Sequence, residues 1–181
     1  MRNLLYFIFA LILFSCKESD QHRIARLTEA WMGKPIYYPV DSVFESFEND
    51  SIRKYSLKRT EYTVVTYIDS AKCKSGDLNL NEWKNFLSDF KAKSKGNATC
   101  LFYFHPENRE TFIRSLQASG FSFPVCIDED DIFYKLNRFP AESIFRTFLI
   151  DKENKVVAMG NPVEDPKVRE LYLKIIDKRT I

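Results

Sequence analysis

Four cysteines, Cys16, Cys73, Cys100 and Cys126, and two histidines, His22 and His105, are the thiol and imidazole side chains of this 181-residue chain. The histidines lie far apart in sequence, which argues against a zinc site or a His-dependent triad. Four cysteines are too few for a disulfide scaffold and enough for one redox site. Cys73 opens the tetrad Cys73-Lys74-Ser75-Gly76 and follows Lys72, so lysines flank the thiol on both sides. A thiolate at a helix N-terminus, between positive charges, would have a depressed pKa. The acidic run Asp128-Glu129-Asp130-Asp131 lacks the alternating ligands and glycine of an EF-hand loop. It is read as favouring the start of a short helix that follows, and no metal is expected. There is no Cys-x-x-Cys-His, Gly-rich phosphate loop or Gly-x-Ser-x-Gly, so no cofactor is expected.

Composition narrows the class. Lys and Arg number 27 against 25 Asp and Glu, a net charge of +2. No half of the chain is a basic block, so nucleic acid is not an expected partner. Hydrophobic residues make up 45% and aromatics 15%, with 16 Phe and 9 Tyr, enough for the core of one domain.

The N-terminus reads as an address. Arg2 precedes eleven apolar residues, Leu4 to Phe14. As a helix these would reach only about 16 Å, short of a hydrocarbon core of ~30 Å. That fits the apolar region of a signal peptide. The run ends Leu13-Phe14-Ser15-Cys16 and is followed by the polar stretch Lys17 to Arg23. This order resembles the lipobox of bacterial lipoproteins. The resemblance implies cleavage before Cys16, acylation (palmitate among the chains) of Cys16, and attachment to the bilayer in the cell envelope, facing the periplasm or the cell surface. Two or more acyl chains suffice for stable anchoring. The expected division is 1–15 signal peptide, 16–30 acylated N-terminus and tether, and 31–181 one domain. Cys73, Cys100 and Cys126 then lie outside the cytoplasm, where disulfides persist, and at least one is left unpaired within the chain.

The elements that must position Cys73 follow from periodicity. Ile24 to Met32 reads as a short helix ended by Gly33. Lys34 to Asp50 reads as edge strands and loops. Tyr62 to Ile68 and Thr99 to Phe104 lack polar alternation, as strands buried on both faces do. Asp69 to Asp77 reads as a loop. Trp83, Phe86, Leu87 and Phe90 fall at helical spacing, with Asn79 and Glu82 as a capping box. Trp31 is read as core or groove. A second helix opens at His105-Pro106, with Phe112, Ile113 and Leu116 inward and Gly120 at its end. Phe123 to Ile127 is extended, and Asp131 to Leu136 a short helix. Arg146 to Ile150 and Val156 to Met159 form a hairpin around Asp151 to Lys155. A last helix begins at Asp165-Pro166 with Val168, Leu171, Ile175 and Ile176 inward.

This order, with a cysteine after the first buried strand, resembles the thioredoxin fold: α/β, a central mixed sheet flanked by helices, with a closing β-hairpin and a C-terminal helix. Thr147-Phe148-Leu149-Ile150-Asp151 through Val157 is similar to the TFLID-x-x-G-x-V string of periplasmic thioredoxin-like proteins. Val65 to Cys73 resembles the strand leading to their active-site cysteine. Trp31-x-Gly33-Lys34, with Asp128-Glu129 and Gly160-Asn161-Pro162, resembles a Bacteroidetes group of thioredoxin-like lipoproteins. The resemblance covers roughly residues 31 to 177 and implies thiol–disulfide exchange.

Two departures bear on that activity. In the Cys-x-x-Cys motif the first thiol attacks a disulfide and the second resolves the mixed disulfide. Here Gly76 takes the resolving position. By register, the proline that lines the family's groove is replaced by Phe145, followed by Arg146. A trans peptide is expected there, since a cis bond before a non-proline residue costs about 2.5–4 kcal/mol. The remnant of the site is then Lys72, Cys73, Lys74, Ser75, Gly76 and Phe145. Cys126 is the better candidate for resolving Cys73, because Cys100 falls in a buried strand. Three roles for Cys73 follow: an inert relic in a module that binds an envelope protein or peptide, the nucleophile of a one-cysteine exchange protein, or half of a structural disulfide. A peroxidase reading is weak, because Asp69-Ser70-Ala71-Lys72 supplies no Thr to support the thiol.

Overall fold

The structure is a computed structural model that describes residues 20–48, 51–142 and 145–177. The expected signal peptide and Cys16 lie outside the described residues. Two compact units are distinguished, one ending at Ala30 and one running from Trp31 to Ile181. Of the first, the structure describes the helix α1, Asp20–Trp31, whose last residue enters the second. The helix starts four residues before the expected Ile24, so Asp20 to Arg23 are helical. Among the described residues no helix is long and apolar enough to cross a membrane.

The second unit is built on seven strands: β1 (Phe44–Glu48), β2 (Ser51–Tyr55), β3 (Tyr62–Ile68), β4 (Ala98–Phe104), β5 (Val125–Ile127), β6 (Thr147–Asp151) and β7 (Val156–Met159). They form one sheet in the order β2-β1-β5-β4-β3-β6-β7. β3 pairs in parallel with β4, and β4 with β5. Parallel neighbours need crossovers. These are the helices α3 (Leu80–Ser94) between β3 and β4, and α4 (Arg109–Ala118) between β4 and β5. β6 returns antiparallel to β3, and β7 to β6. The turn between them places Asn154 at φ 61, a left-handed position where asparagine is among the tolerated residues.

Each sheet face has its own core. Side chains alternate along a strand, so Phe102 and Phe104 of β4 point one way and Tyr103 the other. Phe102 and Phe104 join Trp83, Phe86 and Phe90 of α3, Phe112 and Leu116 of α4, and Tyr172 and Ile176 of the last helix, α6 (Pro166–Asp177). Tyr103 stacks on Phe133 of the short helix α5 (Ile132–Asn137), with ring centroids 3.8 Å apart. Phe133, Phe139, Phe148, Tyr67 and Trp31 continue this aromatic layer. Trp31 is thus core, 8% exposed.

Four local expectations are corrected. The segment expected as a loop contains a one-turn helix, α2 (Ser70–Ser75). Asn79 makes no capping box: it sits at φ 50 with no side-chain cap bond. The helix expected from His105-Pro106 starts at Arg109, capped by Asn108, whose side chain accepts from the Thr111 N–H at 2.8 Å. On α6, Leu171 is 44% exposed, and the inward position belongs to Tyr172. Asp128 does favour the start of α5. Its carboxylate accepts from the Ile132 and Phe133 N–H groups at 3.0 and 2.7 Å.

Candidate functional site

Ile68 ends β3 in the core, and Asp69 turns the chain into α2. The Asp69 carboxylate accepts from the Lys72 N–H at 2.9 Å, an N-cap of the usual kind. The helix ends at Gly76, φ 74. Cys73 therefore falls in the second half of this helix, not at its N-terminus, and the positive end of the helix does not act on it.

The Cys73 thiol is partly buried against the core formed with α3 and α4. Its S–H donates to the Ile68 carbonyl over 3.8 Å. Burial pushes the thiol up to about 12, the Asp69 charge adds to the rise, and the His105 backbone N–H only partly offsets it. The flanking lysines do not reverse this. Lys72 is ion-paired with Glu164, and Lys74 lies 3.2 Å from Glu107. The expected depressed pKa is overturned, because the thiol is desolvated and the Asp69 carboxylate adds to the rise.

Where a groove-lining proline is expected, the chain carries Phe145 and Arg146. Phe145 is buried and is not among the residues lining the cleft beside Cys73. Among the described residues no peptide bond is cis. Arg146 takes over the position. Its guanidinium donates to the carbonyls of Pro140 at 3.0 Å and Ala141 at 2.5 Å, and it is ion-paired with Asp69. It also lies 5.8 and 5.9 Å from the ring centroids of Tyr67 and Tyr134. Tyr67 in turn donates to Asp131 at 2.6 Å. Burial works to raise the Asp69 carboxyl, but the Lys72 N–H bond and the Arg146 hydrogen bond and charge outweigh it and hold it below the usual range. Asp69 and Arg146 thus tie the start of α2 to the segment entering β6. An Asp-Ser pair before a helix is a readable cap signal. Its partner 77 residues away is not readable without the fold.

The three described cysteines are all free. Cys126 pairs in register with Tyr103 and so shares the aromatic face, whereas Cys73 packs on the opposite face with Phe102 and Phe104. The sheet separates them, and Cys126 cannot resolve a disulfide at Cys73. Cys100 pairs with Val64 while Phe104 pairs with Ile68. It is on the right face but four residues down the strand, about 13 Å away, and burial raises its thiol as well. Burial likewise pushes Cys126 up to about 11.

Ser75 and Gly76 close the site. Ser75 Oγ donates to the Lys72 carbonyl at 2.9 Å. Gly76 meets no atom within 4 Å of a built Cβ, but its φ of +74 is one that other residues adopt at a cost. Gly76→Cys should therefore destabilise the fold by about 1–2 kcal/mol, read from urea unfolding, and leave Cys73 as slow to alkylate as before. Beside the thiol lies a cleft of about 430 Å³, lined by Cys73, Gly76, Leu78, Leu80, Pro106 and Phe112 among others. Among the described residues no group of three or more His, Cys, Asp or Glu could hold a metal ion.

With this geometry in place, the chain can be set beside known proteins. No protein-family model and no curated protein matches it. Solved structures do. The thioredoxin domain of a thiol-disulfide oxidoreductase from Bacteroides vulgatus superposes with a TM-score of 0.51 at 12% identity, over 78% of this chain and 97% of that one. A thiol:disulfide interchange protein from Bacteroides sp. gives 0.52 at 13%, over 80% and 87%. A peroxidoxin from Mycobacterium tuberculosis gives 0.53 at 13%, over 83% and 98%. The chain has the thioredoxin-like fold, a central mixed sheet with flanking helices and a C-terminal helix. A thiol-disulfide oxidoreductase domain and a peroxidoxin share it, so the fold alone does not assign the chemistry.

Proposed function

We propose that this chain is a lipid-anchored, extracytoplasmic thioredoxin-like module that binds a protein or peptide and turns over no disulfide. The observation that carries this is the state of Cys73: half-buried, hydrogen-bonded to Ile68, and pushed up to about 12. Thiol exchange proceeds through the thiolate. The position of a resolving thiol is glycine, and the two other described cysteines lie on the opposite sheet face or further back along β4. The cleft beside Cys73 remains as a binding surface, with Leu78, Leu80 and Phe112 as its apolar wall.

The test is the alkylation rate of Cys73 against pH, on the full-length chain in detergent, with each cysteine tracked by mass. At pH 7.5 Cys73 is expected to react at least about a hundredfold more slowly than a free cysteine of pKa ~8.5. Titration of Cys73 at or below that value overturns the reading in favour of one-cysteine exchange with Cys73 as nucleophile. Anchoring rests on the order of Arg2, the apolar run, Ser15 and Cys16. Cys16→Ala should abolish incorporation of radiolabelled palmitate into the chain, and undiminished labelling would rule the anchor out.

A further inference from the structure

We propose that the open edge of β2 takes an extended, acidic peptide segment as an added strand of the sheet. A sheet with two edges has two rows of backbone N–H and C=O groups that no strand pairs, and folds commonly cover or blunt them. Here one edge is covered. Outside β7, Val156 donates to Lys34 O at 2.9 Å, Gly33 donates to Val156 O at 2.8 Å, and Pro35 bridges Lys155. The other edge is β2, paired with β1 on its inner side only. Every residue from 51 to 59 is exposed.

Charge selects the occupant. Positions 51–59 carry Arg53, Lys54, Lys58 and Arg59 and no acidic residue. Among the described residues, Arg53, Lys54 and Lys58 make no ion pair, although other surface lysines and arginines do. A second copy of β2 would bring like charges together, which is destabilising across a strand pair. An acidic strand meets the opposite situation. Interleaved with the cations are apolar side chains at the surface: Ile52 at 57%, Tyr55 at 40% and Leu57 at 49% exposure. Ile52 and Lys54 share one face of the strand, Arg53 and Tyr55 the other. A segment with carboxylates opposite Arg53 and Lys54 and aliphatic or β-branched residues opposite Ile52 and Tyr55 would therefore meet both kinds of contact while its backbone completes the ladder. In the sheet order this edge is separated from β3, which leads into the Cys73 site, by β1, β5 and β4, so the inference does not depend on that site.

The probe is a fluorescein-labelled dodecapeptide repeating Val-Glu-Glu-Val, titrated with the full-length chain in detergent and read by anisotropy. Saturable binding is expected. It should weaken by about tenfold or more when alternate peptide nitrogens are methylated at unchanged charge, when Lys replaces Glu in the probe, and in Lys54→Glu. Bound parent peptide should also slow amide hydrogen exchange in 51–55. Equal binding of the methylated probe overturns the proposal, since charge alone would then suffice. So does an absence of saturable binding, or exchange protection confined to residues around Cys73 and α4.

Discussion

Asp69→Ala should cost the domain about 3–4 kcal/mol, the larger share from leaving Arg146 without its counter-ion. Arg146 is 8% exposed, and the pair with Asp69 is its only anionic contact among the described residues. Removing one partner of a buried ion pair costs about 3–5 kcal/mol. The Asp69 side chain is 30% exposed, so solvent screens the pair and the lower end applies. Loss of the cap on α2 adds about 1 kcal/mol. Asp69→Asn keeps the cap and should cost less, about 2 kcal/mol on the same reasoning. Urea midpoints at constant slope separate the two. The same substitution should speed Cys73 alkylation, because the Asp69 charge is one of the influences raising that thiol. The pH dependence has a defined sign. The folded carboxyl lies below its unfolded value of ~3.9, so the stabilisation is present above that pH and is lost as pH falls through the folded value. Wild type and Asp69→Asn should then converge in stability in acid, and a constant difference down to pH 2 would count against the pair.

Phe133→Ala should cost about 4 kcal/mol, within the ~3–5 of large core aromatics. Phe133 has no exposed surface. Its ring stacks on Tyr103 at 3.8 Å and contacts Phe139 at 5.2 Å and Tyr38 at 6.0 Å. It also carries the attachment of α5. A six-residue helix is too short to persist alone, so it exists through the Asp128 cap and this ring. Phe133→Leu, which fills part of the space, should lose less than half as much. Near-ultraviolet circular dichroism should follow the loss of the aromatic layer, and an unchanged signal in Phe133→Ala would contradict its role.

β3, β4 and α3 were legible because burial imposes a pattern: apolar runs without alternation in the strands, and Trp83, Phe86, Leu87 and Phe90 at helical spacing. α2 was not, because Ser70–Ser75 buries no residue and so carries no period. What marks it is chemical, the Asp69 cap and the Gly76 exit. The placement of Cys73 within its helix turned on those few residues, and with it the sign of its pKa shift. Cys126 was a reasonable resolving thiol by sequence. Excluding it needed the register of β4 against β5, a long-range fact. Arg146 likewise stands out in sequence only as the residue after Phe145 that starts a strand, and only the fold brings Asp69 to it.

The antiparallel pairing of β3 with β6 has a consequence for how the chain reaches this state. Thr66 and Thr147 exchange a buried hydroxyl contact of 2.7 Å across 81 residues. During synthesis from the N-terminus, β3 emerges long before β6, and its flank on the β6 side stays unpaired until the closing hairpin follows. Closure of so long a loop is slow, and an unpaired hydrophobic strand is prone to aggregation in the interval. The late arrival of the closing hairpin therefore sets how long that flank of β3 is exposed.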